Sequence, residues 1–269
     1  MESSTRTSAV LQTRQRDAVL YATLNRPESG NALSLELLGS LQDLWQRMEG
    51  DTSVRVVVLE GAGRLFCTGH DLKEILNSNE DGGEFARRMA DTCNRMMLSM
   101  NRLPQPVVAK VHGIATAAGC QLVATCDLAI ASADARFGTP GVNIGTWCST
   151  PSVALSRAIG RKHAMQMLLT GRLYSADDAF RMGLVNEVVP ARRLDSGVDE
   201  LADEIASKSP YAIALGKRSF YRQLELDIDA AYDFSGEVAA RNAHAADSRE
   251  GVSAFLEKRA ADWPGRHGS

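Results

Sequence analysis

The sequence predicts an α/β protein with a helical C-terminal region. Its first two thirds alternate short β-branched segments with stretches of helical periodicity, as expected where parallel strands are joined by helices. Hydrophobic residues make up 44% and charged residues 23% of the 269 residues, which is enough apolar surface for a packed core. From residue 201 onward the apolar spacing is helical throughout. We therefore expect a core over residues 1–200 and a helical region over residues 201–269.

The individual elements follow from apolar spacing and from turn residues. Segments rich in Val, Ile and Leu that end at Gly, Pro or Asn are typical of buried strands. Apolar residues three and four apart indicate helices, and Ser34 stands where an N-cap is needed. The predicted strands are Ala18–Leu24, Val54–Leu59, Val107–Val111, Leu128–Ser132 and Leu184–Val189, and the predicted helices are Leu33–Met48, a segment from the small residues at 113–119 to Cys126, and Ala176–Met182.

Composition argues against several functional classes. The net charge of −3, from 30 basic and 33 acidic residues, does not suit a nucleic-acid binder. No apolar run reaches the roughly 20 residues that span a bilayer, so we expect no membrane partner. Five cysteines without a C-x-x-C pair favour buried, reduced thiols, and no metal site is expected. The polar N-terminus lacks an apolar signal segment, which predicts a cytoplasmic protein. Its Ser, Thr and Arg content also resembles a transit peptide, but a strand-like segment already begins near Ala9.

Two segments carry the pattern of a functional site. Phe66–Glu74 and His112–Gln121 each lead through small residues from a strand into a helix. The first backbone N–H groups of a helix lack intrahelical partners and carry partial positive charge. Two such starts brought together form an oxyanion hole, which polarises a thioester carbonyl. The alternative is that both are ordinary turns with small residues for packing.

These segments belong to a longer series of motifs by which the chain resembles the crotonase, or enoyl-CoA hydratase/isomerase, superfamily. The resemblance covers nearly the whole chain in seven ordered blocks, which is far more specific than any single glycine motif. The blocks are Asn25–Leu33, Phe66–Glu74, Gly113–Asp127, Phe137–Pro140, Leu169–Ala176, Gly183–Pro190 and Glu250–Arg259.

The resemblance implies a spiral of repeated ββα units followed by a helical trimerisation region, assembled as a homotrimer or a dimer of trimers. It implies acyl-CoA thioesters as ligands, so that coenzyme A is part of the substrate and no separate cofactor is expected. The oxyanion-hole N–H groups fall on His70 and Ala118. Lys73 falls near the ligand phosphates, and Phe255 with Lys258 near adenine or phosphate of a neighbouring subunit. A role in fatty acid metabolism follows from the same resemblance.

The chain departs from this family at the acid–base positions. Hydratases of the family hold one water between two glutamates, and these positions are Gln121 and Gly141 here. An amide orients water but does not accept its proton, and glycine does neither. Because one acid–base group contributes roughly 10²–10⁴-fold to rate, we expect ordinary enoyl-CoA hydration to be weak or absent. Glu28 also replaces a lysine that is common after Asn-Arg-Pro, which removes one expected phosphate contact.

Other groups could replace the glutamates. His70 resembles the decarboxylase branch of the superfamily and carries an imidazole suited to proton transfer. Cys148 is a weaker candidate, since a packing thiol is the more frequent role. Asp71 stands at the start of a predicted helix, where a carboxylate more often caps the backbone N–H groups than takes part in catalysis. Trp147 could line an acyl pocket or fill the core. Three hypotheses remain open: a divergent lyase or isomerase acting on acyl-CoA, a non-catalytic acyl-CoA binder, and a decarboxylase that uses His70.

Overall fold

The computed structural model describes residues 3–7, 10–78, 80 and 83–263, and its centre is a seven-stranded sheet. The strands follow the order β1-β2-β3-β4-β5-β7-β10. The first three pair antiparallel, and the remaining pairs from β3 to β10 are parallel. These strands are β1 (Ser3–Thr7), β2 (Leu11–Arg16), β3 (Val19–Leu24), β4 (Val56–Gly61), β5 (Val107–Val111), β7 (Leu128–Ser132) and β10 (Glu187–Val189).

A second, three-stranded sheet lies beside the first and leads to the candidate site. It consists of β6 (Ile114–Thr116), β8 (Arg136–Gly138) and β9 (Tyr174–Ser175) in the order β6-β8-β9. These strands are only two or three residues long, and their apolar runs are too short to be recognised by alternation. They carry the chain from one sheet layer into the next helix.

Helices cover the sheets and form most of the described C-terminal part, up to Glu257. Each of the predicted helices is present, and Ser34 caps the first of them by accepting a hydrogen bond from the Leu37 N–H. The helices are α1 (Leu35–Met48), α2 (Leu72–Leu76), α3 (Glu84–Arg102), α4 (Ala118–Thr125), α5 (Ser149–Ala158), α6 (Arg161–Thr170), α7 (Ala176–Met182), α8 (Leu194–Ala206), α9 (Pro210–Gln223), α10 (Ile228–Ala243) and α11 (Ala246–Glu257).

The central sheet is buried on both faces, as the β-branched run in β4 predicts. Val57 and Leu59 pack into the main core with α1 and α3, whereas Val56 and Val58 face a second cluster that includes Val198 of α8. This alternation follows from the two-residue period of a strand. The strand predicted at Leu184–Val189 is shorter than expected, because Leu184 and Val185 follow α7 as part of the main core before β10 begins.

The helical C-terminal part begins in α8, which contains residues 200 and 201, so the division into 1–200 and 201–269 stays a prediction.

α9 is joined to the core by a buried polar group. The Asp127 carboxylate accepts hydrogen bonds from the Lys217 ammonium (2.6 Å), the Tyr221 hydroxyl (2.9 Å) and the Val107 backbone N–H (2.7 Å). Burial lowers the pKa of Lys217, although Asp127 opposes this shift. Asp127 therefore joins the end of α4 to β5 and α9.

Within the described residues, no helix is long and apolar enough to cross a membrane, and no cluster of three or more His, Cys, Asp and Glu side chains suits a metal ion.

All five cysteines are buried and free. Burial raises the pKa of Cys67, Cys93 and Cys120 to about 12, which keeps these thiols protonated and unreactive near neutral pH.

Candidate active site

The two glycine-containing segments lie against each other at the edge of the small sheet. The Cys67 N–H donates to the Ile114 carbonyl (3.1 Å), and the Thr116 N–H donates to the Cys67 carbonyl (3.0 Å). Gly119, in the first turn of α4, packs on this same carbonyl: a Cβ at Gly119 would lie 2.1 Å from Cys67 O. Only glycine permits this approach, so the start of α4 is fixed directly against the segment that leads to His70.

The backbone N–H of His70 is left free by the pairing around it. The Leu33 N–H donates to the Gly69 carbonyl (2.8 Å), and the Asp71 N–H donates to the Leu33 carbonyl (3.1 Å). In this parallel bridge Leu33 bonds to the two neighbours of His70, so the N–H of His70 itself points away from Leu33. Among the described residues no acceptor pairs with the His70 N–H. The second donor lies close by, since a Cβ at Gly69 would stand 3.3 Å from the Ala118 nitrogen.

Ala118 is the first residue of α4, and its N–H is one of the unpaired donors of that helix start. The preceding Ala117 adopts φ 50° and ψ −120°, a conformation that glycine adopts more readily than alanine. Its N–H is bound to the Gly138 carbonyl (2.9 Å), which holds the strained residue in place. Two free N–H groups from separate segments, close together, suit one carbonyl oxygen that gains negative charge.

Gln121 is buried, with 4% of its surface exposed, one turn after Ala118. Its side-chain carbonyl, Oε1, accepts a hydrogen bond of 3.0 Å from the Thr150 hydroxyl at the start of α5. Among the described residues, the Gln121 Nε2 atom has no hydrogen-bond partner. The amide therefore presents its N–H donors, and no carboxylate, at this position.

Gly141 is buried in a short 3₁₀ helix, and its surroundings leave no room for a side chain. A Cβ there would lie 2.8 Å from Cys148 Sγ, 2.9 Å from the Thr146 carbonyl and 3.0 Å from Thr146 Oγ1. Burial raises the pKa of the Cys148 thiol, although a hydrogen bond from the Gly141 backbone opposes the shift. Cys148 thus fills space beside Gly141 as a protonated thiol, which disfavours its role as a nucleophile.

The His70 imidazole lies partly buried beside its own free N–H. Its Nε2 atom is buried without a hydrogen-bond partner in the described part of the chain. Burial lowers the pKa of this imidazole, so that the neutral form prevails at neutral pH. A neutral imidazole is able to accept a proton, which keeps His70 as the titratable candidate at the site.

Asp71 and Lys73 follow His70 and start α2. The Asp71 carboxylate accepts the Lys73 and Glu74 N–H groups and pairs with Arg26 at 2.9 Å. Burial works against ionisation of Asp71, but Arg26 and the two N–H groups outweigh it and lower its pKa. Asp71 is therefore a cap and an ion-pair partner. Lys73 is exposed, and its assignment to the ligand phosphates stays a prediction.

Phe255 and Lys258 lie in and just after α11, remote in sequence from the site. Phe255 is 82% exposed, and Lys258 ends the helix with φ 54°. Trp147 is 45% exposed in the loop between Gly141 and α5, which contradicts its interpretation as a core residue of the single chain. The structure does not test the contacts of these residues with a ligand or a second subunit.

Thr150 is the functional candidate that sequence reasoning missed. A threonine at the start of a helix is a common cap, and nothing in its local pattern signals a contact with a residue 29 positions away. Arg26 was recognised only as part of a motif, and its role is to pair with Asp71. Both contacts arise from the packing of separate segments.

The chain is similar over most of its length to known proteins. The family model described as Enoyl-CoA hydratase/isomerase matches residues 14–266. A rat relative, "Enoyl-CoA hydratase domain-containing protein 3, mitochondrial", is 43% identical over 252 residues, which are 93% of this chain and 83% of the relative. The crystal structure of an enoyl-CoA hydratase from Mycobacterium smegmatis has a TM-score of 0.91 and 49% identity, covering 95% of this chain and 99% of the other. The human domain-containing protein 3 structure has a TM-score of 0.90 and 41% identity, covering 94% and 100%.

These comparisons confirm the predicted fold and correct the predicted location. Structural similarity at TM-scores of 0.91 and 0.90 supports the α/β crotonase-like fold. The cytoplasmic location expected from the polar N-terminus is wrong in the light of relatives from rat, Xenopus laevis and human, whose names place them in mitochondria. The absence of an apolar signal segment does not distinguish the cytoplasm from an organelle that is reached by other signals.

Proposed function

Because the chain belongs to the enoyl-CoA hydratase/isomerase family, we propose that it binds acyl-CoA thioesters and stabilises their enolates without performing efficient enoyl-CoA hydration. Coenzyme A enters as part of the ligand, and the protein needs no separate cofactor. The chemistry is of the lyase or isomerase type, with His70 as the titratable group. We propose fatty acid metabolism as its setting.

One observation carries this proposal: the His70 and Ala118 N–H groups, which have no acceptor among the described residues, lie on two segments that pack directly on each other. A Cβ at Gly69 would meet Ala118 N at 3.3 Å and Ala117 Cβ at 2.8 Å, so the two donors are close neighbours. Such donors stabilise a thioester oxygen most strongly when it gains charge, and each contributes on the order of 10²–10³-fold to rate. By contrast, neither Gln121 nor Gly141 supplies the carboxylate that would activate water.

Hydration is tested by following the loss of the enoyl absorbance of crotonyl-CoA. We expect little turnover in the native protein. The Gln121→Glu/Gly141→Glu variant places a carboxylate at both positions of the chain. A Cβ at position 141, however, meets Cys148 Sγ at 2.8 Å. A triple variant that adds Cys148→Ala removes the contact with sulfur and leaves the contact with the Thr146 carbonyl at 2.9 Å, so we expect it to exceed the double variant in hydration rate.

The single variant Cys148→Ala is the matched control, since it opens the same space without adding a carboxylate. Fast native turnover of crotonyl-CoA would contradict the proposal and make His70 the first residue to mutate. No increase in the triple variant, with both the binding of butanoyl-CoA and the denaturation midpoint intact, would contradict the view that only the acid and base are missing.

Two alternatives keep the same ligand. A non-catalytic acyl-CoA binder is favoured by the loss of both glutamates, and native turnover of any acyl-CoA thioester removes it. Decarboxylation of a malonyl-type thioester is favoured by the buried, unpartnered Nε2 of His70. Release of carbon dioxide from malonyl-CoA tests this alternative, and an unchanged rate in His70→Ala would remove the histidine from the mechanism.

A homotrimer or a dimer of trimers is part of the proposal. Its support is the set of apolar side chains exposed on the last two helices of the single chain: Ile228 (69%), Tyr232 (74%), Val252 (58%), Phe255 (82%) and Leu256 (73%). Exposed apolar side chains in such number usually mark an interface. Light scattering coupled to gel filtration measures the mass, and a monomer would contradict assembly and also the placement of Phe255 and Lys258 at a neighbour's ligand.

A further inference from the structure

A series of hydrogen bonds through the backbone ends at the N–H of His70. The Leu33 N–H donates to the Gly69 carbonyl at 2.8 Å. The Gly69 carbonyl and the His70 N–H belong to one peptide group, and in a planar trans peptide these two groups point in opposite directions. The hydrogen bond from Leu33 therefore fixes the direction of the His70 N–H.

The preceding peptide group in this series is bound by Arg26. The Leu33 N–H shares its peptide group with the Ala32 carbonyl, which accepts a hydrogen bond of 2.6 Å from Nη1 of Arg26. Two peptide groups thus stand in series between the guanidinium and the His70 N–H. Hydrogen bonds in such a series polarise one another, by roughly 10–30% per bond. Because the first donor carries a positive charge, its hydrogen bond is stronger than one from a neutral group.

The guanidinium is oriented by a second contact on the other side of His70. Its Nη2 atom donates to the Asp71 carboxylate at 2.9 Å, and both side chains are largely buried. The Asp71 N–H in turn donates to the Leu33 carbonyl at 3.1 Å. Arg26 therefore connects the two segments that pair at Leu33 and His70. The planar fork of a guanidinium suits such a double contact better than a single ammonium does.

The loop that carries Arg26 is fixed independently of the guanidinium. The Arg26 backbone N–H donates to Asn31 Oδ1 at 2.9 Å. Asn31 Nδ2 donates to the carbonyls of Ala62 (2.9 Å) and Leu65 (2.7 Å), which follow β4. Asn31 is fully buried with φ 55°, a conformation that asparagine adopts more readily than most residues. The backbone of Arg26 is thus held in place while its guanidinium contacts the two paired segments.

We infer that Arg26 is a positioning residue of the thioester site, which directs and polarises the His70 N–H through two peptide groups and so strengthens its hydrogen bond to the thioester oxygen. This inference rests on the proposed function, because it places the thioester oxygen against the His70 N–H. It assigns a role to a side chain that acts through the backbone. The alternative is that Arg26 only stabilises the turn in which it lies.

The test measures the polarisation of the bound thioester. In butanoyl-CoA labelled with ¹³C at the thioester carbon, the ¹³C NMR signal moves downfield when the carbonyl is polarised. We expect a downfield shift on binding to the native protein and a smaller one in Arg26→Met, which removes both guanidinium contacts. The affinity of this variant for butanoyl-CoA should fall roughly 2- to 10-fold, as for the loss of one net hydrogen bond. Its affinity for coenzyme A without an acyl group should fall less.

Two further variants separate the proposed role from a general loss of stability. Arg26→Lys keeps the positive charge but not the planar fork, and we expect its downfield shift to lie between those of the native protein and Arg26→Met. Lys110→Met is the matched control, because Lys110 pairs with Glu60 at 2.7 Å between β4 and β5. These two side chains are 18% and 15% exposed, against 19% and 10% for Arg26 and Asp71. We expect this control to lower the denaturation midpoint and to keep the native downfield shift.

Each outcome has a separate meaning. A native-sized downfield shift in Arg26→Met, with only its denaturation midpoint lowered, overturns the inference and leaves Arg26 a structural role. If Arg26→Met does not fold, Arg26→Lys decides, and a native-sized shift in that variant overturns the inference. Equal reductions of the shift in Arg26→Met and Lys110→Met overturn it as well, since any destabilised variant would then show the effect. If the native protein does not bind butanoyl-CoA, or binds it without a downfield shift, the proposed function itself is contradicted.

Discussion

The two ends of α4 are built in opposite ways. At its N-terminal end the N–H of Ala118 is unpaired among the described residues, Ala117 is held at φ 50°, and Gly119 touches a neighbouring carbonyl. Just past its C-terminal end the Asp127 carboxylate accepts three hydrogen bonds from two separate elements, β5 and α9. The eight residues between them span roughly 12 Å. Strain and unpaired donors are thus confined to the end that we assign to the ligand, while satisfied polar contacts hold the other end.

The largest expected effect comes from a change at the C-terminal end of α4, where the polar groups are paired. Lys217→Met removes the ammonium that is 6% exposed and pairs with Asp127 at 2.6 Å. Breaking a buried ion pair from one side typically costs about 3–5 kcal/mol, because the remaining charge stays buried. We expect a loss of this size in the free energy of unfolding, measured by urea denaturation. Affinity for butanoyl-CoA should change little in the folded protein, and a large change would show that the two ends are not independent.

Gly119→Ala tests the end that we assign to the ligand. The new methyl group would meet the Cys67 carbonyl at 2.1 Å and displace the start of α4. We expect a stability loss of about 1–3 kcal/mol from overpacking. The loss of one hydrogen bond to a polarised oxygen should lower the affinity for butanoyl-CoA roughly 10-fold.

Its matched control is Gly39→Ala, in the middle of α1, where a Cβ meets nothing within 4 Å. Alanine favours a helix over glycine by about 0.5–1 kcal/mol, so this variant should be as stable as the native protein or more so. Similar denaturation midpoints and affinities in the two variants would contradict the role given to the Gly119 contact.

Ala117→Gly relieves the positive φ without touching the free N–H groups. Strain of this kind costs of order 1–3 kcal/mol, and the added flexibility of glycine offsets part of the gain. We expect a net stabilisation of about 1 kcal/mol, measured by chemical denaturation, with the affinity for butanoyl-CoA retained. A destabilised Ala117→Gly variant would show that the Ala117 methyl group contributes packing that outweighs the strain.

The smallest effect concerns pH and His70. Burial lowers the pKa of its imidazole below the ordinary value of 6.5. Between the lowered pKa and 6.5 the unfolded chain binds more protons than the folded one, so that stability increases as pH rises through this window. We expect His70→Asn to reduce the difference in melting temperature between pH 5.5 and pH 7.5. His163→Asn, at an exposed histidine, serves as the control, and equal reductions in both variants would contradict the assignment.

Sequence patterns predicted the parts of the fold in which local chemistry decides the structure. Ser34 caps α1 as predicted, and the β-branched residues of β4 are buried on both faces. α3, the longest helix described at 19 residues, was missed although Met89, Cys93, Met96 and Met100 repeat at helical spacing. Periodicity would have found it, since these four residues lie on one buried face.

The site was only partly predictable. The small residues before α4 and α2 indicated the two segments, because such residues permit close approach of the backbone, and the resemblance to the family assigned the N–H groups to His70 and Ala118. The contact of Thr150 with Gln121 and the filling of the space at Gly141 by Cys148 depend on how distant segments pack. Neither leaves a periodic or local signal, so tertiary structure was needed to see them.

The crowding around Gly141 also constrains the order in which this chain could change. A glutamate introduced at position 141 while Cys148 is present meets its sulfur at 2.8 Å, so the first step toward a carboxylate pair carries a steric penalty. The same substitution after Cys148→Ala avoids that contact. The effect of one substitution therefore depends on the presence of the other. In evolutionary terms this is epistasis, and it makes the gain of a carboxylate at position 141 difficult in a chain that keeps Cys148.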